Sequence, residues 1–566
     1  MRNSRTLAFA IGVIGVVTLS SCSRPAVDAA AQKMSDSAVT EPRATQPLRV
    51  RLMTGAQYAN TLKYFFGDDI SIVSPFAPLS RTNGLLALGA ASAGVTSSQL
   101  QQFQRSAATI AHQIVSAEDL DLGIPGRRDT LVPCKPASKT AADDACAEKF
   151  LRATGKRLFR RPLEEARLSL LVAEARDSAN RVNDFYEGLA YALEGLLISP
   201  EMVFIADTLE PDPKSPGRRR LDGYSVASRL SFFLWDAAPD DALLEAAEKG
   251  ELYTAKGLAK TVDRMIASPR LADGVRAFFD DMFVFDNFDN LAKDASVYPG
   301  VTGVTLVEAR DQTLRTVVDH LVTQKKDYRD LFTTRSTFMS PSLAAIYRVP
   351  SPPGWHAYEF PADSPRIGIL TQVSFLAMNA HPARSSATRR GKAMREVLLC
   401  QSVPLPPPNV DFSAVEDPKG IFHTARERVA VHLKNPVCAG CHRITDPIGL
   451  ALENFDGAGQ YRAAERGTAI DASGSFDGKE FHDVAGLAQA LHDHPSLPSC
   501  LVSRVYAYAT GGPIDAASKS LVAHFTQQFG ARGYKLPDLY RAIALSAAFS
   551  DVTDIPTAAA QTVSAK

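Results

Sequence analysis

The sequence has no surplus of charge of either sign. Its 566 residues include 62 lysines and arginines and 62 aspartates and glutamates, so the formal net charge is zero. A protein that binds nucleic acid needs a basic surface against the phosphates, and this neutrality argues against a nucleic-acid partner. The sequence also has no P-loop, no dinucleotide-binding glycine fingerprint and no nucleophile elbow, so hydrolase chemistry is not supported.

Long apolar runs are missing as well. After residue 19 no stretch approaches the ~20 apolar residues of a membrane-spanning helix. At the N-terminus a positively charged start precedes an apolar run over 7–19, which is itself too short to span a bilayer comfortably. The run ends in Leu19-Ser20-Ser21-Cys22, which resembles the bacterial lipoprotein cleavage box. The resemblance implies cleavage before Cys22 and lipid attachment to its thiol; the alternative is an ordinary signal peptide with a chance cysteine.

Only one C-x-x-C spacing occurs, Cys438-Ala439-Gly440-Cys441, and His442 follows it directly. This pattern is typical of covalent haem c attachment, with two thioethers to the haem vinyl groups and a histidine ligand to the iron. One helical turn brings residues three apart onto one face, so both sulfurs can hold one edge of the macrocycle. The alternatives are half of a zinc site or a local disulfide, but no second C-x-x-C occurs and no H-x-x-x-H follows.

Four of the seven cysteines are neither in the motif nor at the lipidation site. Export to an oxidising compartment favours pairing them. Cys134 and Cys146 are close in sequence and bracket a polar loop, so we predict the disulfides Cys134–Cys146 and Cys400–Cys500. The alternative is that some of the four are free buried thiols.

Apolar residues recur at helical spacing through most of the chain, and short strands are expected only around Phe338 and Phe360. Asp240 is expected to start a helix, and 404–408 is expected to be an extended polyproline strap. The fold class is therefore mainly α, with several helical modules in series. The predicted units are a signal peptide over 1–21, a lipidated tether over 22–46, helical modules over 47–120, 134–207 and 220–350, a cytochrome-c-like haem module over 365–480 and a C-terminal helical module over 483–553.

Several segments, in order along the mature chain, form a recognisable set: 51–61, Phe159-Arg160-Arg161-Pro162-Leu163, 227–235 with Pro239-Asp240-Asp241, 337–339 with 343–347, Arg390-Gly391-Lys392, the proline strap, 438–456 and 506–511. Together they resemble a known family, the multi-module, cytochrome-c-like secreted proteins of planctomycete and myxobacterial type. The resemblance implies consecutive domains of unknown function around one haem motif. It implies architecture more than activity, because the family's own haem is inferred from the same motif.

The second axial ligand of the iron is not evident, because no methionine follows residue 394. Within the same module His381 is the first candidate, with Met378 and Met394 next, and a five-coordinate iron is the alternative. Just past the motif, a Pro/Gly turn at Asp446-Pro447-Ile448-Gly449 is expected to offer a backbone carbonyl to the second nitrogen of His442. Asp446 itself is expected to order this loop.

The haem propionates need cationic partners, and the module has several arginines that fit a carboxylate bidentately. Each of them is either such a partner or part of a solvated basic face. The candidates are Arg384, Arg389, Arg390 and Arg462.

Taken together, these features predict a lipid-anchored haem c protein of the cell envelope, on the periplasmic or outer-membrane side, with a redox partner protein. Its expected role is electron transfer, or service as the redox module of a larger oxidoreductase system. One alternative is a haem enzyme that acts on peroxide or oxygen at an open iron position. Another is a non-enzymatic binding scaffold with a structural metal or disulfide at 438–442.

Overall fold

Helices make up most of the structure, a computed structural model, which confirms the predicted mainly α fold class. The structure describes residues 41–42, 45, 47–73, 76–116, 118–119, 124–125, 127–404, 421–434 and 436–552. The predictions for the signal peptide, for Cys22, for most of the tether and for the polyproline strap at 405–408 lie outside these ranges. From Thr45 onward the described residues belong to one compact unit.

Along most of the chain, the described residues form helices. They are α1 Gly55–Phe66, α2 Leu86–Gly89, α3 Ser97–Val115, α4 Arg128–Leu131, α5 Asp144–Leu158, α6 Glu165–Val182, α7 Phe185–Leu197, α8 Pro200–Val203, α9 Gly223–Leu234, α10 Asp241–Glu248, α11 Ala255–Ala267, α12 Leu271–Met282, α13 Gly303–Val318, α14 Pro341–Tyr347, α15 Val373–Met378, α16 Ala387–Ala393, α17 Ala425–Lys434, α18 Pro436–Leu450, α19 Val484–His492, α20 Ser496–Thr510, α21 Ala516–Ala531, α22 Leu536–Leu545 and α23 Ala547–Ser550. Within the described ranges, none of these helices is both long and apolar enough to cross a membrane.

The strands are short and pair two by two, all antiparallel. They are β1 Val50–Leu52, β2 Glu118–Asp119, β3 Ile124–Pro125, β4 Phe204–Ala206, β5 Leu209–Pro211, β6 Arg219–Leu221, β7 Ser336–Met339, β8 His356–Glu359, β9 Ala464–Glu465, β10 Thr468–Ala469, β11 Gly474–Phe476 and β12 Lys479–Phe481. In the pair β7–β8, Ser336 lies opposite Glu359 and Met339 opposite His356. Strands near Phe338 and Phe360 were expected from the sequence; Phe338 lies in β7, and Phe360 directly follows β8.

Side-chain caps define several helix starts. Thr54 accepts a hydrogen bond from the backbone of Gln57, and the Gln57 side chain accepts one from the backbone of Thr54, a capping box that begins α1. Asp240 accepts from the backbone N–H of Leu243 at 2.8 Å, and so begins α10 as the sequence predicts.

The buried apolar side chains form two large clusters. One large cluster includes buried residues from Leu85 to Val552, and a second is built mainly from α1 and α3 to α8. Phe233 of α9 stacks on Tyr540 of α22, with ring centroids 4.8 Å apart. The guanidinium of Arg229 donates to the carbonyl of Phe549 at 2.7 Å. The C-terminal helices therefore complete the core of the central ones.

Among the residues that the structure describes, two disulfides form, with the pairing predicted from the sequence. Cys134 is bonded to Cys146, which lies in α5, and Cys400 is bonded to Cys500 in α20. The second bridge joins residues 100 positions apart, so it ties the segment after α16 to the C-terminal helices.

Candidate haem-attachment site

The two remaining described cysteines lie together on helix α18. Cys438 and Cys441 are free thiols, each partly exposed, and are one helical turn apart. The thiol of Cys441 lies 3.3 Å from the carbonyl oxygen of Pro404. Two thiols on one helical face, with a histidine next to the second, are the donor set that covalent haem attachment requires.

His442 is held by a buried carboxylate. Its Nδ1 lies 2.7 Å from Oδ2 of Asp446, one turn further along α18. The Asp446 side chain is 1 % exposed, and its Oδ1 accepts from the hydroxyl of Thr388 at 2.8 Å and from that of Thr445 at 3.2 Å. The expectation that a backbone carbonyl holds His442 is therefore corrected: the partner is the side chain of Asp446.

Helix α18 runs through Pro447 to Leu450, which corrects the expected Pro/Gly turn after the motif. A proline inside a helix removes one backbone donor and normally ends or kinks the helix. Here α16 packs closely along α18. A Cβ on Gly391 would overlap the carbonyl oxygen of Thr445, and one on Gly449 would overlap that of Ala387. This tertiary packing keeps the helix continuous, and the continuity places Asp446 on the same face as His442.

A cavity of about 370 Å³ adjoins the site. Helix α17 contributes Val429 and Leu433 to its wall, α18 contributes Asp446 and Leu450, and the segment around β11 closes it. Its volume lies within the roughly 300–1,000 Å³ of ligand pockets, and its wall combines apolar side chains with a few polar groups. Asp446 belongs both to this cavity and to the hydrogen bond with His442. The fit to a haem rests on the donor set itself, two free thiols one helical turn apart with a histidine beside the second.

Met378 and His381 precede helix α16, and the direction of α16 indicates where they lie relative to His442. Helices α16 and α18 are antiparallel, with Ala387 beside Gly449 and Arg395 donating to the carbonyl of Ile444 at 3.1 Å. The segment before Ala387 therefore lies at the far end of α18, seven residues or roughly 10 Å from His442 along the axis at 1.5 Å per residue.

The candidates themselves have other surroundings. Met378 lines a second cavity. Helix α16 borders this cavity with Arg389, Lys392 and Ala393, which lie on the side of α16 that faces away from α18. Met394 is buried in the main core. Burial, and then three nearby cations, lower the pKa of His381 to about 4, so its imidazole is neutral at pH 7.

Arg390 has a structural role that neither sequence interpretation anticipated. Its side chain is fully buried and donates to the carbonyls of Leu452, Phe455 and Asp456 at 2.7, 2.8 and 2.6 Å. It is thus neither a propionate partner nor part of a solvated face. Of the other candidate arginines, Arg462 pairs with Glu453 at 3.0 Å and Arg389 donates to the carbonyl of Ala380 at 3.0 Å.

Sequence reasoning missed Thr388 and the role of Asp446. The spacing of four residues between His442 and Asp446 is a helical contact and was a usable signal. The signal was lost because Pro447 suggested a turn. No pattern in the sequence points to Thr388, which reaches Asp446 only because α16 packs on α18.

Four family models match the chain one after another. Each is described as a protein of unknown function: DUF1595 over residues 146–207, DUF1592 over 221–349, DUF1588 over 366–465 and DUF1585 over 477–549. The chain carries four domains of unknown function in series. This is the arrangement typical of planctomycete cytochrome-c-like proteins. The DUF1588 domain contains α16, α17 and α18, and therefore the whole candidate site. No curated protein and no solved structure matches the chain.

Proposed function

We propose that the protein carries one haem c and serves in electron transfer in the cell envelope, alone or as the redox module of a larger oxidoreductase system. Cys438 and Cys441 would hold the haem through thioethers, and His442 would be the proximal iron ligand. When bound, the haem supplies reversible one-electron exchange at its iron. A lipid on Cys22 would hold the protein at the membrane, and a redox partner protein would exchange the electron.

One observation carries the proposal. Of the six cysteines that the structure describes, four are paired in disulfides, and the two left free are those of the C-x-x-C-H motif. Both lie on one helical turn beside a histidine whose Nδ1 is already held by a buried carboxylate. This is the arrangement of a histidine ligand, whose second nitrogen is fixed by a neighbouring acceptor.

The chain's own residues prepare the site. Asp446 fixes the orientation of the His442 ring, and Thr388 fixes that of Asp446. Val429, Leu433 and Leu450 contribute apolar surface to the adjoining cavity, beside polar groups such as Arg426 and Glu480. The disulfide between Cys400 and Cys500 anchors the segment that follows α16.

The test is covalent haem attachment. The mature protein, produced in a host with c-type maturation, should give a haem-stained band on a denaturing gel and a Soret absorption peak. Cys441→Ala should lose covalent attachment, and His442→Ala should leave a perturbed, weakly ligated iron. Asp363→Asn, which changes an exposed loop carboxylate, is the matched control and should stain like the wild type. An unstained wild-type band would leave the scaffold alternative, with a structural metal or disulfide at the motif.

The carboxylate of Asp446, which is hydrogen-bonded to His442, favours a second candidate function. An electron-rich axial ligand pushes electron density toward the iron and favours cleavage of an O–O bond. This supports a haem enzyme that acts on peroxide or oxygen at an open iron position. A low-spin iron that ignores cyanide and carbon monoxide would support electron transfer. A high-spin iron that binds both quickly, and turns over peroxide with an added reductant, would support the enzyme.

A further inference from the structure

We propose that Asp446 is a positioning residue that holds His442 in its Nδ1–H tautomer and keeps the reduction potential of the attached haem low. The inference rests on the proposed function, because it concerns the haem that His442 would ligate. It concerns residues of this chain only: His442, its acceptor Asp446, and Thr388, which donates to that acceptor.

The tautomer follows from the donor and acceptor inventory. An ionised carboxylate can only accept hydrogen bonds. Asp446 Oδ2 lies 2.7 Å from Nδ1 of His442, so Nδ1 carries the hydrogen and Nε2 presents its lone pair. The lone pair on Nε2 is what an iron ligand needs. Asp446 therefore sets which nitrogen binds the metal.

The strength of this hydrogen bond follows from burial and from the helix. The Asp446 side chain is 1 % exposed, so little water competes for its oxygens or screens its charge. Both residues lie on the continuous helix α18, one turn apart, and this rigid element fixes their separation. A short hydrogen bond to a buried anion makes the imidazole a stronger electron donor.

A stronger donor has a predictable effect on the iron. Negative charge on the ligand stabilises the oxidised, more positive state of the haem relative to the reduced state. The reduction potential is therefore lower with the carboxylate than with a neutral acceptor. A backbone carbonyl at the same place would act in the same direction but more weakly, because it carries no net charge.

Thr388 balances this effect. Its hydroxyl donates to Oδ1 of Asp446 at 2.8 Å, so it withdraws part of the carboxylate's capacity to accept from His442. Loss of this donor leaves the carboxylate a stronger acceptor for the imidazole. Asp446→Asn and Thr388→Val are therefore expected to move the potential in opposite directions.

The experiment measures the midpoint potential of the full-length, haem-loaded protein by spectroelectrochemistry. Asp446→Asn keeps the shape of the side chain and removes its charge. Loss of an outer partner of a metal-ligating histidine typically costs about 10- to 100-fold in metal affinity, and here the loss is expected to fall mainly on the oxidised haem. The potential of Asp446→Asn should rise accordingly by about 59 mV per tenfold change for a one-electron couple.

Asp363→Asn makes the same change of charge on an exposed loop and is the control. A rise in Asp446→Asn no larger than that of the control would overturn the inference, because the carboxylate would then have no measurable effect on the iron through His442. If Asp446→Asn does not fold, Thr388→Val decides: a lower potential supports the inference, and an unchanged or higher one overturns it. Haem staining of the wild type reports on the proposed function separately, so the two failures are distinguishable.

Discussion

The phenol of Tyr508 donates a hydrogen bond to Oδ1 of Asp236 at 2.9 Å, across 272 positions of sequence. Asp236 follows helix α9 and has a left-handed backbone with φ of 52°. Its Oδ2 accepts from Nδ2 of Asn60 on α1 at 3.0 Å. One buried carboxylate thus joins three distant parts of the chain: the first helix, the central domain and the C-terminal domain.

We expect Asp236 to make stability depend on pH. Burial is the main reason that the pKa of Asp236 is raised to about 7, well above the ~3.9 of an unfolded aspartate. The folded state therefore binds the proton more tightly than the unfolded state does. The stabilising contribution is complete below about pH 4 and is lost as the pH rises through about 7.

The substitution Asp236→Asn removes this titration. Its amide keeps one acceptor for Tyr508 but presents a donor to the amide of Asn60, so it costs about 1–3 kcal/mol of unfolding free energy at low pH. The loss of unfolding free energy relative to the wild type should be smaller at pH 8 than at pH 5, because at pH 8 the wild type buries the charged form of Asp236. Urea unfolding at both pH values measures this. Equal losses at both pH values would contradict the assignment.

Arg390 should be indispensable to the fold of the DUF1588 domain. Arg390→Met would leave the carbonyls of Leu452, Phe455 and Asp456 without their buried donor. Unsatisfied buried groups cost ~1–3 kcal/mol each, so we expect a loss of at least ~3 kcal/mol in unfolding free energy. The neighbouring, exposed Arg389 is the control: Arg389→Met should cost within about 1 kcal/mol, the value of its single hydrogen bond. Similar losses in both variants would refute the role of Arg390.

The close contact between α16 and α18 should not tolerate a methyl group at residue 391. A Cβ there would overlap the backbone carbonyl of Thr445, so Gly391→Ala should destabilise the protein by about 1–3 kcal/mol. It should also disturb the hydrogen bond from Thr388 to Asp446. At Gly303, in the first turn of α13, a Cβ would meet no atom within 4 Å. Gly303→Ala should therefore be neutral or slightly stabilising. Thermal melts of the two variants and the wild type measure this difference.

The two disulfides should contribute unequally to stability. In the chain-entropy model, a closed loop of about 100 residues contributes ~4.7 kcal/mol, whereas one of about 15 residues contributes ~3 kcal/mol. Cys400–Cys500 closes a separation of 100 residues and Cys134–Cys146 one of 12. Cys500→Ser should therefore lower the unfolding midpoint more than Cys146→Ser, under non-reducing conditions. A larger effect of Cys146→Ser would contradict this order.

Local patterns in the sequence determined the helical class, the helix start at Asp240, the C-x-x-C-H motif and the pairing of the four remaining cysteines. Each depends on short-range chemistry: apolar spacing, a capping side chain, thiol spacing, or loop length in an oxidising compartment. Such rules act between residues that are close in sequence or that have few possible partners.

Only the tertiary structure decided how α18 passes through Pro447, what holds His442, and where Arg390 and Asp236 are buried. Local propensity predicts a turn at Pro447 and an exposed arginine at 390. Packing against distant helices reversed both, because close contact between α16 and α18 and buried carbonyl acceptors outweigh those local preferences. Partners that are tens or hundreds of residues apart, such as Thr388 with Asp446 or Tyr508 with Asp236, leave no periodic signal in the sequence.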